Sequence, residues 1–171
     1  MIVVDGEPVG KGRPRMNSRT GTIYTPTKTH RYEEAVHMAA RRSQERVGDR
    51  PVIAVVTAVF APPVSWSKRR RLSAMSGGVQ KDTKPDLDNV IKSALDGLQP
   101  VCFTDDKQIV ACVAMKSYAE TPRLEIELYA VESSAGVVKA VGEAKEFAGK
   151  SLRDVVAKIV RGDDGAGLGN S

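Results

Sequence analysis

The sequence predicts an α+β protein, a single domain whose mixed β-sheet is packed by helices on one side. Three observations predict it. At 171 residues the chain is long enough for one domain with a real core and too short for two large ones. Four segments read as strands and three as helices, all before residue 132. One strand, residues 51–60 (PVIAVVTAVF), is continuous in apolar and β-branched residues, the pattern of a strand central in a sheet. The boundaries are a core over 1–131 and an extension over 132–171, partly helical and ending in a disordered tail.

In chain order, Ile2, Val3 and Val4 form the first strand. Residues 8–17 then break regularity, with Gly10, Gly12 and Pro14 set among Lys11, Arg13 and Arg15. A Thr-rich segment, 20–29, leads into a helix over about 30–44, whose apolar positions Tyr32, Ala35, Val36 and Ala39 recur at helical spacing. After the 51–60 strand ends at Ala61-Pro62-Pro63, a helix from Ser65 carries Lys68, Arg69, Arg70 and Arg71 in one turn. The glycine stop at Ser76-Gly77-Gly78 closes it. Pro85 disfavours helix at Lys84, and Asp88 is the expected N-cap of a helix running to about Leu98, where Pro100 stops it. Residues 107–118 and 123–131 read as two strands joined in a hairpin near Glu120-Thr121-Pro122. Beyond them, 133–136 reads as a linker, 151–161 as a short amphipathic helix capped by Ser151, and 163–171 as a disordered tail.

The net charge of +5, from 26 Lys and Arg against 21 Asp and Glu, with a pI near 9.3, is compatible with a polyanionic partner. An aromatic content of 5% argues against binding built on many stacked rings. Cys102 and Cys112 match neither a zinc spacing nor a disulfide framework and read as reduced core thiols. No run approaches ~18 apolar residues, and the start lacks the features of a signal peptide. A soluble, cytoplasmic protein without membrane contact or organic cofactor is the expectation.

Against this basic background four acids stand out: Asp86, Asp88, Asp105 and Asp106. Carboxylates sharing a small site raise each other's pKa and call for a cation or for Lys and Arg. With 85–88 extended, Asp86 and Asp88 project to one side, and Lys92, a turn past Asp88, adds an ammonium. A helix of about eleven residues carries the chain ~16 Å away, and extended residues 101–103 bring it back. Asp105 and Asp106 are then expected near the helix start, one facing the site and the other away. Oxygen-only ligands without His or Cys point to Mg²⁺ or Mn²⁺, which would activate water against a phosphodiester. Lys11, Arg13, Arg15, Lys68, Arg69, Arg70, Arg71 and Lys84 are candidate phosphate contacts. Plainer readings stand beside these: a helix-capping turn for PDLDN, a turn for Asp105-Asp106, a solvated face for the SKRRR run, and solvated helix positions for His30 and His37.

The KPDLDNxxK element, the helix containing Leu95-Asp96-Gly97-Leu98, and then DDKQI closely resemble the RusA-type Holliday junction resolvases. The opening GEPVGKGRPR, the following YTPTKT, and Trp66 with its basic turn are similar to the same family, so the likeness spans about residues 2–131. The resemblance implies a homodimeric, Mg²⁺-dependent endodeoxyribonuclease of mixed α and β structure that nicks four-way DNA junctions symmetrically. It implies Asp86, Asp88 and Asp106 as catalytic metal ligands and Lys92 as the essential lysine. Gln99-Pro100 departs from the Asn-Gly type of turn common in the family, and the extension from Ser133 lies outside its core.

Two rival readings fit the same residues. Pro85-Asp86 followed by Asp105-Asp106-Lys107 spells the PD and D-x-K pattern of restriction-type nucleases, in which acids and lysine sit on adjacent strands. The other rival is a non-catalytic binder of branched DNA, whose acids hold a structural cation or cap a helix.

Overall fold

Strand β4 (Val52–Phe60) is buried at every residue except Thr57, so it needs cover on both faces and a neighbour on both edges. The computed structural model, which describes residues 1–131, supplies both edges. Around β4 lie β1 (Ile2–Asp5), β5 (Ile109–Tyr118) and β6 (Arg123–Ala130), in the order β1-β6-β4-β5. β6 runs antiparallel to both β1 and β4, whereas β5 runs parallel to β4. The expected α+β class and mixed sheet are therefore present. The linker, helix and tail expected over 133–171 lie outside the described residues.

The expected hairpin between the last two strands does not form, because β4 lies between them. The strand that is apolar on both sides takes the centre, and the turn after β5 passes across its end, where the Ala119 N–H donates to the Phe60 carbonyl at 3.0 Å. A parallel neighbour demands a long crossover. The chain between β4 and β5 provides it with α2 (Lys68–Met75) and α3 (Leu87–Leu98).

Helix α1 (Thr27–Ser43) and α3 pack on one face of the sheet. Tyr32, Val36 and Ala40 of α1 and Val90, Ala94 and Leu98 of α3 join Ile2, Val4, Val56, Phe60, Leu124 and Ile126 in one core. Period-two alternation turns Ile53 and Val55 to the opposite face, where they form a second cluster with Val131, Ala111, Val113 and Tyr129.

Several boundaries differ from expectation for local reasons. α1 starts earlier than residue 30, directly after Pro26, and its buried stripe includes Ala40 while Ala35 is exposed. α2 starts at Lys68 because Ser67 is its N-cap, accepting from the Arg70 N–H at 3.4 Å. α3 is capped by Asp86 instead of Asp88, since the Val90 N–H closes the first turn on the Asp86 carbonyl at 3.2 Å. Residues 106–108 form a 3₁₀ turn where extended chain was expected. There Asp105 accepts from the Lys107 N–H, and the Gln108 side chain accepts from the N–H groups of Thr104 and Asp105. A small hairpin of β2 (Arg15–Met16) and β3 (Ile23–Tyr24), absent from the sequence reading, occupies the basic and Thr-rich segments. Cys102 is buried as expected, but Cys112 is exposed on edge strand β5, so only the first is a core thiol. No described helix is long and apolar enough to cross a membrane.

The α1–α3 crossing is set by Gly97. A Cβ there would lie 2.6 Å from the Val36 Cβ and 2.8 Å from the Glu33 carbonyl oxygen. Gly97→Ala is expected to lower stability by about 1–3 kcal/mol through overpacking, despite a helix-propensity gain of roughly 1 kcal/mol. A urea midpoint equal to or above that of the wild type would show that the helices move apart freely.

Candidate active site

The N-terminus of α3 gathers three of the expected residues. Asp86 is the N-cap in extended conformation, with an exposed carboxylate that makes no capping hydrogen bond. Asp88 lies in the first helical turn, also exposed, and the helix dipole favours both charges. Lys92 Nζ stands 3.6 Å from the Asp88 carboxylate, with both side chains about two-thirds exposed. The grouping matches expectation, but the geometry is that of a cap and a first turn, not of an extended pair pointing one way.

Two lysines outside the expected site, Lys81 and Lys116, fix the segment leading into Asp86. Lys81 Nζ donates to the Thr83 carbonyl (3.1 Å), the Thr83 hydroxyl (2.5 Å) and the Lys84 carbonyl (2.7 Å), and lies 4.7 Å from the centre of the Phe60 ring. Lys116, reaching from β5, donates to the carbonyls of Thr83 (2.9 Å) and Pro85 (3.1 Å). Burial, and then the neighbouring Lys116 charge, hold the Lys81 ammonium below the usual lysine value. A signal for Lys116 was available: it is a lysine at a helix-facing position of a largely apolar strand, where alternation turns it inward.

The basic loop docks on the same helix start. The Lys11 N–H donates to the Asn89 carbonyl at 2.8 Å, and the Gly12 N–H to the Thr29 hydroxyl at 3.0 Å. A Cβ on Gly10 would sit 3.0 Å from the Pro85 Cβ and 3.2 Å from the Asn89 Cβ, so glycine permits this approach. The Lys11 ammonium turns to Glu33, at 3.2 Å, and Asp96, tying α1 to α3. Burial lowers its pKa, but the bonds to Asp96 and Glu33 outweigh that and hold it above the usual value.

Between this loop, the start of α1 and Lys84-Pro85 opens a cleft of about 600 Å³. Arg13, Arg15 and Lys84, all expected phosphate contacts, line it together with Lys28, which was not anticipated. The first turn of α1 carries no acid and its N-cap offers no side-chain bond, which leaves the positive helix end unneutralised there. The other basic turn divides: Lys68 and Arg69 are exposed, Arg71 is half-buried, and the Arg70 guanidinium lies 3.9 Å from the centre of the Trp66 ring.

Asp105, Asp106 and Lys107 lie at the far end of α3. The twelve residues of α3 span ~18 Å. Lys116, which grips Pro85, stands seven residues along β5 from Ile109, a rise of roughly 23 Å. The chain does not return after α3 as expected. The Cys102 N–H donates to Leu98, the Val47 N–H donates to Cys102, and Gln108 Nε2 donates to the Gly48 (2.7 Å) and Arg50 (3.0 Å) carbonyls, which anchors the segment at the entry to β4. Hydrogen bonds from the Lys107 backbone and side chain hold the Asp105 carboxyl below its usual value. Among the described residues no three His, Cys, Asp or Glu side chains are close enough to enclose a metal ion. Asp86 and Asp88 offer carboxylate oxygens only, the kind of donor a hard divalent cation takes.

Paired carboxylates beside a cationic cleft, on a small mixed sheet, are what hydrolysis of a nucleic-acid backbone asks for. Residues 5–129 match the family model described as "Endodeoxyribonuclease RusA". This chain belongs to the RusA endodeoxyribonuclease family. It is also similar to the "Uncharacterized protein YqaN" of Bacillus subtilis (strain 168), 32% identical over 137 residues, which cover 77% of this chain and 96% of that one.

The Lys81 environment has a measurable consequence. Its folded-state pKa lies below the usual lysine value, so between the two the unfolded chain binds more protons and stability rises with pH. Wild type measured against Lys81→Met by urea unfolding should therefore gain relative stability as pH climbs towards the usual lysine value. A pH-independent difference would show that the ammonium is not held in a desolvated state.

Proposed function

We propose that this protein is a Holliday junction resolvase, a cytoplasmic homodimer that makes paired symmetric nicks in four-way DNA junctions during recombination and repair. The observation carrying this reading is the exposed Asp86 and Asp88 pair, with Lys92 a turn away, beside a cationic cleft in an endodeoxyribonuclease family member.

Asp86, Asp88 and Asp106 would hold Mg²⁺, or Mn²⁺ in its place. When bound, the cation supplies an activated water and stabilises charge on the phosphate under attack. Asp86 is free of a capping bond, which leaves both carboxylate oxygens available. The Lys92 ammonium offsets repulsion between the two carboxylates and faces the charge that develops on the phosphodiester. Lys81 and Lys116 act as positioning residues, fixing the backbone from which Asp86 projects. Arg13, Arg15, Lys28 and Lys84 hold phosphates along the cleft, while Lys68 and Arg69 extend the basic surface and Arg70 and Arg71 support it. Lys11, engaged by Glu33 and Asp96, holds the loop in place.

A homodimer suits a substrate with two-fold symmetric strands that needs two cuts. Within one chain Asp86 and Asp106 are on the order of 20 Å apart, so a site using all three acids draws Asp106 from the second chain. The restriction-type alternative gains nothing from the geometry: α3 separates its two halves, and Lys107 is paired with Asp105 at 3.0 Å.

Cleavage of a labelled four-way junction with Mg²⁺ tests the reading, with linear duplex as control. Paired nicks in the junction alone are expected, reduced roughly a hundredfold or more by Asp86→Asn, about 3 kcal/mol of transition-state stabilisation, and retained by Lys107→Ala. Junction binding without cutting would favour a structural binder, and equal cutting of duplex a restriction-type nuclease.

The two-chain site has its own assay. Asp86→Asn and Asp106→Asn proteins, each inactive, are refolded together so that chains exchange. A composite site predicts that the mixed dimer regains one intact site and nicks one strand, whereas sites contained within single chains predict no recovery.

A further inference from the structure

The segment between Glu7 and Glu33 contains Lys11, Arg13, Arg15, Arg19, Lys28 and Arg31 and no acid at all. Within it stands the β2–β3 hairpin, a two-stranded sheet separate from the main one, with Arg15 opposite Tyr24 and Met16 opposite Ile23. Its tip is closed by several bonds. The Asn17 N–H donates to Thr22 (2.9 Å), the Gly21 N–H donates to the Asn17 carbonyl (2.8 Å), the Arg19 N–H donates to the Asn17 side chain (2.9 Å), and Gly21 takes φ +69°.

The hairpin turns its apolar residues outward. Met16 is 67% exposed, Ile23 70% and Tyr24 47%. Directly opposed residues share a face, so Met16 and Ile23 form one apolar face and Arg15 and Tyr24 the other. Exposing such a pair does nothing for the fold, and a two-stranded hairpin is at best marginally stable by itself. Its base opens onto the cleft lined by Arg13, Arg15, Lys28 and Lys84, next to Asp86. Charge selects the occupant: a segment with six cations and no acid, in a chain of net charge +5, suits a polyanion better than a second copy of itself.

We propose that the β2–β3 hairpin is a DNA-contacting arm that presses Met16 and Ile23 against unstacked bases at the branch point, while Arg13, Arg15 and Arg19 hold the flanking phosphates. The proposal rests on the junction-nuclease reading and extends it from the acids to branch recognition. Apolar side chains inserted at a base step, with cations on the backbone, are a known way to read deformable DNA, and a branch point has already lost part of its stacking.

The test uses the full chain in an Asp86→Asn background, bound to a four-way junction carrying 2-aminopurine at the branch, whose fluorescence rises on unstacking. Expected is a rise with the parent, its loss in Met16→Ser/Ile23→Ser, and a roughly tenfold weaker junction affinity. Linear-duplex affinity should stay within about twofold. Met16→Leu/Ile23→Val should retain both signals, which separates apolar contact from a folding defect. A full rise in the serine variant, with junction preference kept, overturns the arm and leaves the resolvase reading intact. An equal loss of affinity on duplex overturns it as well, by making the hairpin a general contact. Loss of self-association in the serine variant, seen by sedimentation, overturns it in favour of an interface between copies. If the parent shows no preference for the junction, the resolvase reading falls and takes this role with it.

Discussion

The burial of β4 on both faces is the constraint from which the rest of the arrangement follows. A strand of nine residues with eight buried cannot stand at an edge, so the chain must supply a neighbour on each side. β6 takes one edge as an antiparallel neighbour, and β5 takes the other in parallel. Parallel pairing forces the long crossover, and the crossover contains α3. Its helix start therefore comes to lie over the C-terminal half of β5, where Lys116 can reach it. In open sheets the ends of parallel strands are where loops are free to carry chemistry, and Asp86 and Asp88 occupy such a position.

The start of α3 is held by charge–carbonyl bonds instead of apolar packing. Lys81 and Lys116 together engage oxygens of Thr83, Lys84 and Pro85, three consecutive residues immediately before Asp86. Such bonds are stronger than neutral ones and fix direction, which apolar contact does not. The arrangement has a cost, visible in the depressed Lys81 pKa: one ammonium is buried beside another. A segment serving only as a connector would gain more from an apolar residue at that position.

How much of this could be read in the sequence follows from which interactions are local. β4, the three helices and the Asp86, Asp88 and Lys92 group were legible because periodicity and i,i+4 spacing are properties of neighbouring residues. The strand order was not legible, since the hairpin signal at Glu120-Thr121-Pro122 describes a turn and says nothing of a third strand between its arms. The position of Asp106 failed for a similar reason. A return path through 101–103 satisfies chain length alone, whereas bonds from Gln108 to Gly48 and Arg50, about sixty residues away, decide where it ends. Lys81 was hidden because a lysine in a basic chain reads as surface until its partners are known, whereas Lys116 carried a signal in its place on a largely apolar strand. The β2–β3 hairpin escaped because strands of two residues carry no measurable periodicity.

Electrostatics gives the separation of the acids a physical sense. Asp86 and Asp88 are exposed, and in water two charges a few ångströms apart repel by only about 1 kcal/mol, a cost that Lys92 at 3.6 Å from Asp88 already reduces. A third carboxylate in the same chain would raise that cost without a cation to offset it, and at the far end of α3 Asp105 has its own partner in Lys107. Docking a phosphate chain into the neighbouring cleft changes the balance: it brings more negative charge and removes the water that screened the pair. Carboxylates so desolvated would favour a divalent cation far more strongly than in the open site. On the proposed reading, cation and nucleic acid would thereby be linked, each strengthening the other's binding, and the acids remain tolerable to the fold when neither is present.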